Sequence, residues 1–126
     1  MKFIDIQDKD DVVIVRFKQS RIVDEGSIQG IGEEFRGLTI QAAADKKLLL
    51  NFERVEFMSS SMIGQIVKLH KQCEKDKIKL RLCSISPNIL EIFKITRLDK
   101  LLAISDDEED AIAAFGPTRK RWMGLG

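Results

Sequence analysis

The spacing of hydrophobic and polar residues predicts a hairpin at the start of the chain. In residues 2–6 the apolar side chains lie among polar ones, and residues 12–17 are rich in β-branched residues, so both segments are predicted strands. The polar run at residues 7–11 is expected to form the turn between them. Residues 18–24 are predicted to be a loop.

Two longer segments have the three- and four-residue spacing of a helix with one buried face. The first is predicted at residues 25–44, and the second follows a group of serines and runs to residue 73. The apolar positions are Ile28, Ile31, Phe35, Leu38 and Ala42 in the first helix and Met62, Ile66, Leu69 and Cys73 in the second.

Strand and helix patterns continue to the end of the chain. Residues 47–52 form a near-continuous apolar run, which is expected of a central strand covered on both faces, and residues 78–83 alternate as a strand. Ser86 is expected to cap a helix that begins at Pro87. Residues 98–104 fit a short helical turn and then a short strand, and Ser105 opens a capping-box spacing before a last helix.

The order of these elements predicts the fold class. After the opening hairpin, strands alternate with helices, which implies an α/β domain with a mixed, mostly parallel sheet of four to five strands and about four helices. The length of 126 residues fits one domain. We place this domain at residues 1–117, followed by a C-terminal tail at residues 118–126.

Charge and composition narrow the possible partners. The net charge of +1 gives no general attraction to nucleic acid, and no apolar run reaches the roughly 20 residues needed to span a bilayer. The first residues have no apolar signal-peptide stretch. We therefore expect a cytoplasmic protein that binds no nucleic acid, does not insert into a membrane and is a monomer when free.

Few residues offer catalytic or cofactor-binding chemistry. His70 is the only histidine, and Cys73 and Cys83 form neither a metal-ligand spacing nor a disulfide framework. Gly30-Ile31-Gly32 begins like a dinucleotide-binding motif, but it lies inside a helix pattern. We expect no enzyme activity, no cofactor and no metal. The basic stretch at residues 68–81 is interpreted as mostly a solvated face.

Three serines, Ser59, Ser60 and Ser61, lie where a strand pattern passes into a helix pattern. The first turn of a helix has free backbone N–H groups and the positive end of the helix dipole, which favour a nearby anion. A serine there can cap the helix, or it can carry a phosphate that the helix end helps to stabilise. The serines therefore favour a switchable binding module over an enzyme.

The residues around the serines carry a family resemblance. Residues 57–64, Phe-Met-Ser-Ser-Ser-Met-Ile-Gly, resemble the core motif of the STAS domain, in which an aspartate, two serines or threonines, a glycine, a bulky apolar residue and a glycine follow an apolar pair. Residues 78–87 and 93–99 also look like this family. The chain is most similar to stand-alone bacterial anti-sigma-factor antagonists, over nearly its whole length.

The resemblance implies a regulatory function. In this family a partner anti-sigma factor with serine kinase activity phosphorylates the second hydroxyl residue, the phosphorylated form no longer binds, and a phosphatase resets the switch. Ser61 matches the modified residue, with Ser60 and Ser59 as alternatives. The residues expected to bind the partner are Asp24, which matches an aspartate near the modified site, and Ser59, Ser60, Met62, Ile63 and Gly64.

Two positions depart from the family motif. Ser59 replaces the motif aspartate, so a local carboxylate is missing, and Met62 replaces the first glycine. We expect Met62 to be partly exposed, because methionine adapts well to binding surfaces, and Met58 and Ile63 to belong to the core. The departures keep open a second function, in which the chain is a non-phosphorylated STAS subunit or scaffold of a transporter or signalling complex.

Overall fold

Strands and helices alternate along most of the chain, as the sequence pattern predicts. The structure is a computed structural model and describes residues 1–41 and 46–116. Within these residues the strands are β1 (Ile4–Lys9), β2 (Val12–Phe17), β3 (Arg21–Ile22), β4 (Lys47–Asn51), β5 (Phe57–Met58), β6 (Lys79–Cys83) and β7 (Ile104–Ser105). The helices are α1 (Glu25–Gln41), α2 (Ser60–Asp76), α3 (Pro87–Ile95), α4 (Leu98–Leu101) and α5 (Glu108–Ala114).

The opening hairpin forms with a tighter turn than the polar run suggests. β1 and β2 pair antiparallel, and Lys9 lies opposite Val12. The predicted five-residue turn therefore shrinks to Asp10 and Asp11, whose φ angles are 52° and 69°. A two-residue turn with left-handed backbone matches the twist of the two strands, and aspartate tolerates that conformation better than most residues.

Five strands form the main sheet in the order β1-β2-β4-β6-β7. β1 pairs antiparallel with β2, and the other neighbours pair in parallel. The prediction of an α/β domain with a mixed, mostly parallel sheet is confirmed. The described part of the chain has five helices where about four were predicted, because the short turn at Leu98–Leu101 forms a helix of its own.

β4 lies at the centre of this sheet and is buried along its whole length. Leu48 and Leu50 face the larger core on one side, and Leu49 faces a smaller core on the other. The near-continuous apolar run at residues 47–52 therefore reflects a strand covered on both faces, as predicted.

The two faces of the sheet are covered unequally. α1, α2 and α3 all contribute buried residues to the larger core, which includes the stacked rings of Phe17 and Phe52 with centroids 4.9 Å apart. On the opposite face, Ala111 of α5 and Phe115, which directly follows this helix, pack against the sheet. α1 and α2 thus lie side by side on the thickly covered face.

Gly32 of α1 lies against the side chain of Gln65 in α2. A Cβ atom on Gly32 of α1 would lie only 2.6 Å from Oε1 of Gln65 in α2.

The predicted apolar stripe of α2 is confirmed, since its four apolar positions are its buried residues. Residues 42–45, at the predicted end of the first helix, lie outside the described residues, as do Pro117 and the tail at 118–126.

One predicted helix cap is confirmed in its position and another is wrong. Ser86 occupies the cap position of α3, as predicted, although its hydroxyl donates to Oδ1 of Asn88 and accepts no backbone N–H. Ser105 lies in β7, and Asp107 caps α5 by accepting from the N–H of Asp110 at 2.9 Å. The carboxylate directly before the helix takes the cap because it is closer to the free N–H groups and charged.

Candidate functional site

A pair of two-residue strands fastens the segments that lead into α1 and α2. β3 and β5 pair in parallel, with Ile22 opposite Met58. The N–H of Ser59 donates to the carbonyl oxygen of Ile22 at 3.0 Å, so the backbone bonds continue to the start of α2. The prediction of an unbroken loop at residues 18–24 is wrong here, because two residues are too few to produce a recognisable strand period.

Each helix is capped by a residue that follows its short strand. Oδ2 of Asp24 accepts from the N–H of Ser27 at 2.9 Å at the start of α1. Oγ of Ser59 accepts from the N–H of Met62 at 3.4 Å at the start of α2. Ser59 therefore provides the cap that was expected from one of the three serines.

The other two serines lie in the first turn of α2. Both Ser60 and Ser61 are exposed, and neither is needed to cap the helix. Since α1 and α2 run in parallel, with Glu25 beside Ser61 and Gly32 beside Gln65, the positive ends of both helix dipoles lie near this surface.

Ser61 is held by a carboxylate of the neighbouring helix. Its hydroxyl donates a hydrogen bond to Oε1 of Glu25 at 3.1 Å, although the two residues are far apart in the sequence. Glu25 was not among the predicted site residues. Its only signal in the sequence is its place after Asp24 at a helix start, where an acidic residue already has a structural explanation in the helix dipole. The family motif has an aspartate where this chain has Ser59, and Glu25 places a carboxylate near that position, beside Ser61.

Asp24 is placed by the cap of its own helix. The N–H of Ser27, and then the Ser27 side chain, lower the pKa of the Asp24 carboxyl below its ordinary value of 3.8. The carboxylate is exposed to solvent, and it stays ionised at neutral pH. Asp24 and Glu25 together make this end of α1 acidic.

The residues after the serines differ from what was expected. Met62 is 0% exposed, so the prediction that it is partly exposed is wrong. It lies on the buried stripe of α2, four residues before Ile66, and the helical period turns it toward the core. Ile63 is partly exposed at the edge of the larger core. Ile63 follows Ser61 by two residues, and side chains at this spacing point to different faces of a helix, so Ile63 is a partly exposed apolar residue near the start of α2 and not a neighbour of the Ser61 hydroxyl.

Gly64 adds an open backbone surface next to these residues. It is exposed, and a Cβ atom built on it would meet nothing within 4 Å. Glycine is therefore not required there by packing within the chain. The predicted site residues that lie together on the surface are Ser60, Ser61, Ile63 and Gly64, with Asp24 and Ser59 as the caps beside them.

The histidine and the cysteines do not form a reactive site. Nε2 of His70 lies 3.3 Å from Oε1 of Glu74. Burial raises the pKa of the Cys73 thiol to about 12 and that of Cys83 to about 11. Across residues 1–41 and 46–116, no group of three or more histidine, cysteine, aspartate and glutamate side chains could hold a metal ion. In the same part of the chain, the helices are too short or too polar to cross a membrane.

Comparison with known proteins identifies the family. The family model for the STAS domain matches residues 3–111, which include both short strands and both helix starts. The chain belongs to the STAS family. The resemblance predicted from residues 57–64 and the segments after them is therefore confirmed.

Individual STAS relatives agree with this assignment. A protein of Bordetella bronchiseptica named as a candidate anti-sigma factor antagonist, BtrV, is 24% identical over 94 residues, which are 72% of this chain and 81% of the relative. The structure of an anti-sigma-factor antagonist (STAS) domain protein from Planctomyces limnophilus matches with a TM-score of 0.81 and 27% identity. The match covers 89% of this chain and 97% of that protein's chain.

A third relative was solved with a modification. The structure of the Bacillus cell fate determinant SpoIIAA in its phosphorylated form has a TM-score of 0.65 at 20% identity, covering 88% of this chain and 97% of its own. At this identity the match establishes the shared STAS fold.

Proposed function

We propose that this STAS protein is an anti-sigma-factor antagonist whose binding to its partner is switched off by phosphorylation of Ser61. The observation that carries the proposal is the hydroxyl of Ser61, which is exposed, caps no helix and is oriented by its hydrogen bond to Glu25. A kinase can reach this oxygen without unfolding α2. The relatives named as anti-sigma-factor antagonists support the same class of partner.

The three serines are not equivalent as phosphate acceptors. Oγ of Ser59 accepts from the N–H of Met62, and Ser59 is partly buried, so modifying it would remove the cap of α2. Ser60 is exposed, but Ser61 alone of the three donates to Glu25. A carboxylate that accepts from a hydroxyl holds the oxygen in one orientation, which favours Ser61 as the modified residue.

Phosphorylation would change the charge of the surface and leave the fold intact. A phosphate adds a charge of about −2, and the esterified oxygen of Ser61 can no longer donate to Glu25. The first turn of α2 stabilises part of the new charge through its N–H groups and dipole. Glu25 and Asp24 repel it, so the phosphate is directed outward, toward the partner. A partner surface matched to a neutral hydroxyl would then have to desolvate a dianion, which is costly.

In this proposal the chain is a substrate and ligand and has no catalysis of its own. The anti-sigma factor is also the serine kinase, a phosphatase restores the hydroxyl, and all three act in the cytoplasm. Near the start of α2, Ile63 gives the partner a partly exposed apolar side chain and Gly64 gives it an open backbone.

The test is affinity purification of the tagged chain from its native host, with partners and phosphorylation sites identified by mass spectrometry. Wild type is compared with Ser61→Asp and Ser61→Ala, and Ser60→Ala is the matched control. We expect a kinase in the wild-type and Ser61→Ala samples, its loss from the Ser61→Asp sample, and phosphate on Ser61 of the wild type.

The competing function gives a different result. If the chain is a constitutive STAS subunit or scaffold, the partner sets of wild type and Ser61→Asp are identical, and Ser61 carries no phosphate. Phosphate on Ser60, with a partner set changed by Ser60→Ala, would keep the switch and reject Ser61 as its site.

A further inference from the structure

An open groove runs between α1 and α2, starting one helical turn beyond the serines. Its volume is about 650 Å³, and it extends from Gln29 and Gln65 at one end to Thr39 and Lys75 at the other. Each wall thus spans ten helical rises, or about 15 Å. The groove is much longer than a single side chain or a small ion.

Basic side chains dominate the walls of the groove. Lys68, Lys71 and Lys75 line it from α2 and Arg36 lines it from α1, whereas Glu33 is the one carboxylate in its lining. Within residues 1–41 and 46–116, none of these four cations takes part in an ion pair. The net charge of the chain is only +1, so this excess of positive charge is local.

Glu74 and Asp76, the acidic residues interleaved with these lysines in the sequence, do not line the groove. Glu74 lies beside His70, with Oε1 of Glu74 3.3 Å from Nε2 of the imidazole. Oδ2 of Asp76 accepts from Nε2 of Gln72 at 2.8 Å. The interpretation of residues 68–81 as a solvated face therefore misses a feature, because the helical period gathers three of its lysines on the groove.

The distribution of charge indicates the shape of the ligand. A small anion is usually bound by several donors that converge on one point, whereas Lys68 and Lys75 lie seven residues apart on one helix, about 10 Å along its axis. Phe35 and Leu69 lie beneath the groove, but they are only 2% and 4% exposed and offer a ligand little apolar surface. An elongated ligand with spaced negative charges fits this arrangement.

We propose that the groove is a docking site for an acidic segment of a partner protein. Lys68, Lys71 and Lys75 follow steps of three and four residues, so a helical segment with carboxylates at the same steps can face all three. Docking here does not require phosphate on Ser61, and one partner can cover the serines and the groove together.

The test measures binding of the full-length chain to a fluorescent synthetic peptide by anisotropy. The peptide carries glutamates at helical steps of three and four residues and alanines between them. The variant Lys68→Gln/Lys71→Gln/Lys75→Gln is compared with Lys9→Gln/Lys94→Gln/Lys100→Gln, which makes the same change in net charge at exposed lysines away from the groove. We expect about a tenfold loss of affinity for the groove variant, from three exposed ion pairs, and about a twofold loss or less for the control.

Three results would overturn the proposal. The first is no binding of the peptide to wild type, and the second is an equal loss in both triple variants, which would indicate general charge attraction. The third is tighter binding of a short double-stranded oligonucleotide or of tripolyphosphate, lost in the groove variant, which would assign the groove to a different ligand. The Ser61→Asp variant should bind the peptide as wild type does, so this result is independent of the phosphorylation proposal.

Discussion

The two halves of the α1–α2 surface carry opposite charge. At the end where both helices begin, Asp24 and Glu25 lie beside Ser60 and Ser61, and the surface is acidic with exposed hydroxyls. One turn further along, lysines of α2 and Arg36 line the groove. The acidic half lies at the positive ends of the two helix dipoles, so it is stabilised by the helices themselves.

The difference between the halves gives the surface a direction. A partner with a single charged patch can match only one half, and a partner with both signs of charge can match the surface in only one orientation. Phosphate on Ser61 would make the acidic half more negative and leave the basic groove unchanged. The proposed switch and the proposed docking site are thus separable, and each can be altered without the other.

The largest effect on stability is expected from substituting the apolar residues under the acidic half. Met62→Ala should lower the free energy of unfolding by about 2–4 kcal/mol, because it leaves a cavity beneath the first turn of α2. Ile63→Ala should cost about 1 kcal/mol, because part of that side chain already faces solvent. Urea denaturation of both variants measures the difference, and an equal cost would mean that their exposures are wrongly assigned.

The contact between Ser61 and Glu25 should give a smaller, electrostatic effect. Ser61→Asp places a like charge beside Glu25, so it should destabilise wild type more than it destabilises Glu25→Gln. A coupling of about 0.2–1 kcal/mol is expected for an exposed pair, and added salt should reduce it. A double-mutant cycle by chemical denaturation measures this coupling.

Glu33→Gln provides the control for that cycle. Glu33 is an exposed carboxylate of α1 that lines the groove and makes no contact with Ser61. The cycle of Ser61→Asp with Glu33→Gln should close to within experimental error. A coupling to Glu33 as large as that to Glu25 would show that the effect is one of net charge and not of the specific contact.

The weakest expected effect is the acid dependence of the cap on α1. The pKa of Asp24 is lower in the folded chain than its ordinary value of 3.8. Folding is therefore favoured by the ionised carboxyl, and this stabilisation is present above about pH 4 and is lost as the pH falls through the folded pKa. Asp24→Asn should flatten the fall in Tm over that acid range, whereas Asp8→Asn, an exposed residue of β1, should not. Parallel acid dependence in both variants would contradict the assignment.

Much of the fold could be predicted because its main elements are long enough to show a period. The buried stripe of α2 follows the helical spacing, and β4 is apolar on both faces because it is central in the sheet. The same spacing also shows why Met62 is buried. Its position in the helix decided its orientation, and its position in the family motif was the poorer guide.

The contacts that organise the site could not be predicted in this way. The pairing of β3 with β5 depends on two residues in each strand, and the Ser61–Glu25 hydrogen bond joins residues 36 positions apart. Both contacts join segments that are distant in the sequence and meet only in the folded chain, so neither produces a local sequence pattern. Lys68, Lys71 and Lys75 were visible as charges, but their common groove appears only when α1 lies beside α2.

The pairing of β3 with β5 affects which residues of the site can be substituted. The bonds that join the segments leading into the two helices are made by backbone atoms, from the N–H of Ser59 to the carbonyl of Ile22 and from the N–H of Glu56 to the carbonyl of Ser20. Side chains on this frame can therefore be exchanged without moving it. A carboxylate lost from one helix can be supplied by the other, and an engineer could choose partner specificity here by substituting surface residues on an unchanged frame.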